Sequence, residues 1–306
     1  MKTYFKLVLV VLFTGVTAAC GTLPDAKPFA EASNTLAHSV KASGQAVSDS
    51  LVDAGGDATA FAGPLQKAWQ ERVNAVQAAS QYASEIANLV AAGNEGAETV
   101  KRVADTLGVL AQTAGIPVAG PVAGVLGDIG QAVAERIASV KSSRTLAQAV
   151  AQAQPAIDVI ANHLSEDVIT GLKPILKSAY DNTVSMIKSE YGDDNAFAKQ
   201  LSAKKLQLRT AAVQDQKNIA ALLEFERMSD TVAGRLKERD QKLEQASVAY
   251  KTRVQLVNAL VPAIDAWARA HRDVASAIIE KRKVTVTELR ETVSDLKELI
   301  RKVRAL

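Results

Sequence analysis

Only one cysteine occurs in the 306 residues, at position 20, so no disulfide forms within a chain. Aromatic residues make up 4% of the sequence. Ala, Val, Leu, Gln, Lys and Glu dominate instead, which is the composition of long helices packed along thin seams rather than of a globular enzyme core. Neither sign of charge prevails, with 36 Lys and Arg against 33 Asp and Glu. Such a balance argues against a nucleic-acid binder, which would carry a concentrated basic face. Motifs for chemistry are missing too. There is no HExxH, no paired Glu-x-x-His, no GxSxG elbow, no phosphate loop and no CxxC, so neither metal nor cofactor is implied and the chain reads as non-enzymatic.

The first twenty residues carry the strongest signal. Lys2 and Lys6 flank a short positive region, Leu7 to Phe13 are all apolar, and Thr14 to Ala19 are mostly small. The stretch from Leu7 to Ala19 falls short of the roughly 20 residues that a bilayer crossing needs, so residues 1–19 read as a secretory signal peptide outside the fold. Removing Lys2 and Lys6 leaves 34 basic residues against 33 acidic ones, close to neutrality.

Val16-Thr17-Ala18-Ala19-Cys20 resembles the lipobox of bacterial lipoproteins. The resemblance implies a diacylglycerol thioether and a palmitate-type acylated amine on Cys20. Each buried methylene would add about 0.8 kcal/mol, so several chains together hold the protein durably on a membrane. Gly21, where an aspartate would retain such a protein at the inner membrane, resembles the class sent on to the periplasmic face of the outer membrane. A plainer alternative is ordinary cleavage after Ala19, leaving Cys20 as a free N-terminal thiol.

Residues 20–30, with Pro24 and Pro28, read as a lipidated tether, and 31–306 as one elongated helical domain. Leu36, Val40, Val47 and Leu51 with Ser33, Ser43 and Ser50 form a weak helical stripe ended by Gly55-Gly56. A stronger stripe of Phe61, Leu65, Trp69, Val73, Val76, Ala83, Ile86 and Val90 predicts a helix from about Pro64, suited to a first turn, to Ala91. Val100, Val103, Leu107 and Leu110 predict a third. Pro155 reads as a break, Gly171 with Pro174 as a kink, and Tyr191 to Asn195 as a turn in which Asp194 or Asn195 caps the next helix. From Ala196 to Val261 a near-heptad stripe runs through a charge-rich stretch, as in a coiled-coil hairpin. The fold class predicted is all-α: an elongated bundle of long antiparallel helices with coiled-coil character.

Positions 106–127 hold 22 residues without a charge. Pro117, Pro121 and five glycines break them into two arms of a hairpin, with Leu107, Leu110, Ile116, Val118, Val122 and Leu126 as its apolar residues. Close packing inside the bundle is one reading; conditional insertion into a bilayer is the other. Long helices flanking an apolar, glycine-containing hairpin resemble in layout the helical pore-forming toxins of the cytolysin A type. That likeness implies a membrane-active protein.

Near the C-terminus, Thr285 and Glu288 suit a capping box, and Val286, Leu289, Val293, Leu296, Ile300 and Val303 alternate by three and four as a seam for a partner. His163 shares a helix face with Glu166 and Asp167, too few ligands for a metal site, and His271 falls four residues after Trp267, where it would stack on the indole. Lys281-Arg282-Lys283 reads as a solvated helix junction. The function expected is that of a membrane-anchored envelope scaffold or adaptor that binds a protein partner or self-associates, with membrane lipid as its other partner through acylated Cys20.

Overall fold

The computed structural model describes residues 24–93, 97–114, 145–212 and 217–306. Every regular element among them is helical: α1 (Lys27–Asp53), α2 (Gly56–Ala91), α3 (Ala97–Ala114), α4 (Leu146–Glu166), a π-helical turn (Asp167–Leu172), α5 (Lys173–Glu190), α6 (Gly192–Ala212), α7 (Lys217–Glu280) and α8 (Thr287–Arg304). α1 begins inside the segment expected as a tether, 20–30. Pro28 sits in the first turn of α1, where its missing N–H costs nothing, and Phe29 is already fully buried.

The stripe on α1 packs as its spacing predicts, and its serines join the core. Ser33, Ser43 and Ser50 donate their hydroxyls to the carbonyls of Phe29, Ser39 and Ala46, each four residues earlier, at 2.8, 3.0 and 2.9 Å. A buried hydroxyl satisfied in this way leaves no donor stranded, while its small volume lets a neighbouring helix come close. The chain then reverses through Gly55 and Gly56, at φ 65° and 52°, which glycine adopts without steric penalty.

Two prolines expected to mark helix limits lie inside helices instead. α2 begins at Gly56, well before Pro64, and α4 runs through Pro155. In each case the carbonyl left without its donor, on Ala60 or Ala151, belongs to a residue that is exposed or half-exposed rather than buried. Phe61 points outward rather than joining its stripe. Gly171 and Pro174 do disturb the helix, as the π-helical turn that leads into α5. The YGDDN segment is tighter than expected: α6 restarts at Gly192, and Asp194 pairs with Arg235 at 3.1 Å rather than capping.

α1 packs against α2, α5, α7 and α8; α3 bridges α2 and α4; α4 lies on α7; and α8 closes back onto α7 and α1. The core fills this ring with Leu36, Val40, Ile86, Leu107, Ile157, Leu260 and Ile264 among many alanines. At about 1.5 Å per residue, α7 is about 96 Å long. Only its second half, from Leu256 onward, belongs to the core; the first half pairs with α6 and α5.

Trp69 sets the closest approach of α1 and α2. Its indole N–H donates to the Val40 carbonyl at 2.8 Å, and the ring lies where a Cβ on residue 44 would be. In an open helix Gly44→Ala would gain up to about 1 kcal/mol from propensity; here it overlaps the indole. The expected result is a net loss of roughly 1–3 kcal/mol, checked by urea denaturation followed by circular dichroism. A stabilised variant would refute the close contact.

Candidate functional site

Of the residues singled out in the uncharged segment, Leu107 and Leu110 are fully buried on α3. Ile116, Val118, Val122 and Leu126, like Cys20, lie outside the described residues. Among the described residues, no helix is long and apolar enough to cross a membrane.

The C-terminal seam is not open to a partner along most of its length. Val286, Leu289, Val293 and Leu296 are buried, and Ile300 and Val303 are partly covered, all against the chain's own core. A six-residue connection, 281–286, holds α8 beside α7 and α1, so its apolar stripe meets them at high effective concentration before any second molecule. The capping box does not form either. Val286 stands at the N-cap without a side-chain bond, the Thr285 N–H donates to Asp273 Oδ2 at 2.5 Å, and Glu288 pairs with Arg269 at 2.6 Å. Arg282 bonds Asp273 and Glu280 at 2.5 and 2.7 Å, so the basic triplet is a solvated junction with its central cation tied down.

Inside the bundle lies a polar chain that local spacing does not reveal. His271 does not stack on Trp267. It is fully buried against Tyr82, with ring centroids 5.6 Å apart, and Tyr82 Oη lies 3.0 Å from its Nε2. His271 Nδ1 is 2.7 Å from Gln154 Oε1. Gln154 Nε2 donates to Asp158 at 2.7 Å and to the Ala268 carbonyl at 3.2 Å, and Arg272 donates to Asp158 at 3.2 Å.

These partners fix every proton. Asp158 and Ala268 offer only acceptors, so the Gln154 amide nitrogen must face them and its oxygen must face the imidazole. His271 therefore carries its proton on Nδ1, and Nε2 accepts from the Tyr82 hydroxyl. Burial, with Arg272 nearby, pulls the His271 pKa from 6.5 down to about 3, and burial raises that of Tyr82. Both are neutral at pH 7. Neither has surface exposed to solvent, so in this conformation the chain of groups orders α2, α4 and α7 rather than meeting a substrate.

Arg72 and Asp167 make a second buried contact, Nε to Oδ2 at 2.5 Å, with both side chains all but inaccessible. Asp167 is the first residue of the π-helical turn, so the pair ties α2 to the irregular segment between α4 and α5. It also draws Asp167 into the core rather than into a cluster with His163. Among the described residues, no group of three or more His, Cys, Asp or Glu could hold a metal ion. Arg72 had one legible signal: it falls in the apolar row Leu65, Trp69, Val76, where a charge demands a buried partner.

α6 and the first half of α7 form a two-helix arm. Its seam buries Leu201 and Val232 and half-buries Leu208, Leu222, Leu236 and Leu243. At its base Arg235 and Lys242 lie 5.7 and 5.0 Å from the Tyr191 ring centroid, and Tyr180 stacks on Tyr250 with centroids 4.3 Å apart. Lys205 and Arg209 reach Glu226 across the pair at 3.6 and 3.1 Å. Leu206 and Leu223, 69% and 61% exposed, remain uncovered. The chain matches no protein-family model, no curated protein and no solved structure.

Two outcomes test the buried groups. Between pH 6.5 and 3 the unfolded chain protonates His271 while the folded chain does not, so its contribution to stability is full above pH 6.5 and lost as pH falls. Denaturation at pH 5 should show a loss of about 2 kcal/mol relative to pH 8, which His271→Gln abolishes. Asp167→Ala, which removes the buried carboxylate that Arg72 Nε meets, should cost about 3–5 kcal/mol, while the double change Arg72→Met with Asp167→Leu should recover most of it.

Proposed function

We propose that the chain is a non-enzymatic envelope lipoprotein, held by acylated Cys20 at the periplasmic face of the outer membrane, that works as a helical scaffold or adaptor. The observation that carries this reading is the arm. A 64-residue helix leaves the core with α6 as its chief companion, and Leu206 of α6 and Leu223 of α7 stay in water. Isolated exposed leucines are ordinary on a globular surface. On a two-helix arm with a thin seam they mark a face that a protein partner or a second copy would cover, as helices cover one another through rows three and four residues apart.

Charge fits that use. The stretch from Glu224 to Glu244 interleaves both signs, so it neither repels a second copy nor draws in polyanions without discrimination. Insertion of 106–127 into a bilayer, as the toxin-like layout suggests, asks more of the chain. α3 would have to withdraw Val103, Leu107 and Leu110 from the bundle, at about 2 kcal/mol each.

Mass spectrometry of the protein from its native membrane should find a modified N-terminal Cys20, and Cys20→Ser should release the protein from the membrane fraction. Light scattering and crosslinking of the full chain should show a higher-order species or a crosslinked partner that Leu206→Glu with Leu223→Glu removes. A monomer whose crosslinking profile the pair leaves unchanged would sink the adaptor reading. Dye release from liposomes that Leu107→Asp abolishes would favour insertion instead.

A further inference from the structure

The last turn of the C-terminal seam is the part the bundle does not close. Ile300 and Val303 of α8, with Ala46 of α1 and Leu256 of α7, line a groove of about 460 Å³. That volume lies within the range of small-ligand sites. Its floor is apolar, since Leu256 and Ala46 belong to the core and Ile300 and Val303 pack against it.

Its rim carries two cations. Lys41 on α1 and Arg304 at the end of α8 stand at its edge, both exposed, with the His38 side chain also exposed there. Among the described residues, neither Lys41 nor Arg304 has a carboxylate partner. The one acid at the groove, Asp49, already accepts from Gln45 at 2.7 Å. An apolar slot edged by unpaired cations selects a ligand with a greasy body and a negative end.

We propose that this groove binds a long-chain fatty acid, its alkyl chain along Leu256, Ile300 and Val303 and its carboxylate between Lys41 and Arg304. The arginine supplies a fork of donors that matches a carboxylate, and the lysine supplies a second point charge. Hydrocarbon chemistry provides the affinity and the rim provides the direction of entry. The site is separate from the arm and does not depend on what the arm binds.

The test uses the full chain carrying Cys20→Ser, so that no acyl group travels with it, and titrates a fluorescent fatty acid below its micelle concentration. Saturable binding of one molecule per chain, displaced by oleate, is expected. Lys41→Glu with Arg304→Glu should weaken it at least tenfold, and Ala42→Trp, which fills the groove, should abolish it, both with unchanged circular dichroism and melting. Oleyl alcohol should compete at least tenfold more weakly than oleate. Absence of saturable binding, indifference to these substitutions, or equal competition by the alcohol would overturn the assignment. Preference for lysophosphatidylglycerol over oleate would overturn the carboxylate head group.

Discussion

Both tryptophans of the chain spend their indole N–H on α1, and the rest of the bundle is arranged around that arrangement. Trp69 of α2 donates to the Val40 carbonyl, and Trp267 of α7 donates to the Ser33 hydroxyl at 3.1 Å. That hydroxyl in turn donates to the Phe29 carbonyl. A buried indole N–H without an acceptor would cost about 1–3 kcal/mol. α1 must therefore expose backbone and hydroxyl oxygen to its neighbours, which it does only because its stripe is built from Ser and Gly as well as Leu and Val. A row of larger side chains would bury more surface but would hold the tryptophans away from the oxygens they need.

The same economy of volume explains how a chain with few aromatics makes a dense interior. Ala75, Ala79, Ala83, Ala153 and Ala263 are all buried, and small residues let helices approach and gain close dispersion contacts along their length. Where something larger and polar is enclosed, it is paired. Tyr82, His271 and Gln154 form one chain of donors and acceptors from three helices, and Arg72 holds Asp167. Each group is costly alone and tolerable only with its partner in place, so these contacts penalise any register in which α2, α4 and α7 slide past one another. They add specificity to a core whose alanines alone would allow it to slip.

Helical periodicity was a good guide wherever the covering face is local, and a poor one wherever the partner is distant in sequence. The rows Leu36–Val40–Val47–Leu51 and Val100–Val103–Leu107–Leu110 were legible because a stripe fixes which side is buried. The row from Val286 to Leu296 shows the limit. Its spacing says that a face must be covered, and says nothing of whether the cover comes from another molecule or, as here, from α1 and α7. His271 fails for the same reason: Trp267 is four residues away, but the stacking and the hydrogen bond come from Tyr82, 189 residues earlier. Pro64 and Pro155 misled because a proline inside a helix costs one intrahelical bond and a steric clash that packing of the whole helix can outweigh, and sequence spacing does not show where it will. Gly171 and Pro174 marked the right place, but the π-helical turn begins at Asp167, whose partner Arg72 lies 95 residues earlier.

The contrast between core and arm bears on the proposed role. In the core, each helix has at least two neighbours, and the fully buried Tyr82, His271, Arg72 and Asp167 are all paired. In the arm, α6 and the first half of α7 have chiefly each other, the buried apolar side chains among the described residues are Leu201 and Val232, and the cross-pair contacts include partly exposed ion pairs that contribute little, about 0–1 kcal/mol each. Such an element belongs to the low-stability end of a protein. Shortening the distal part of the hairpin would leave the core's own contacts in place, since the part of α7 in the core cluster begins at Leu256. Sequence spent on a long, marginal projection with leucines in water is consistent with contact to another surface, and a partner that covered Leu206 and Leu223 would stabilise the arm by binding it.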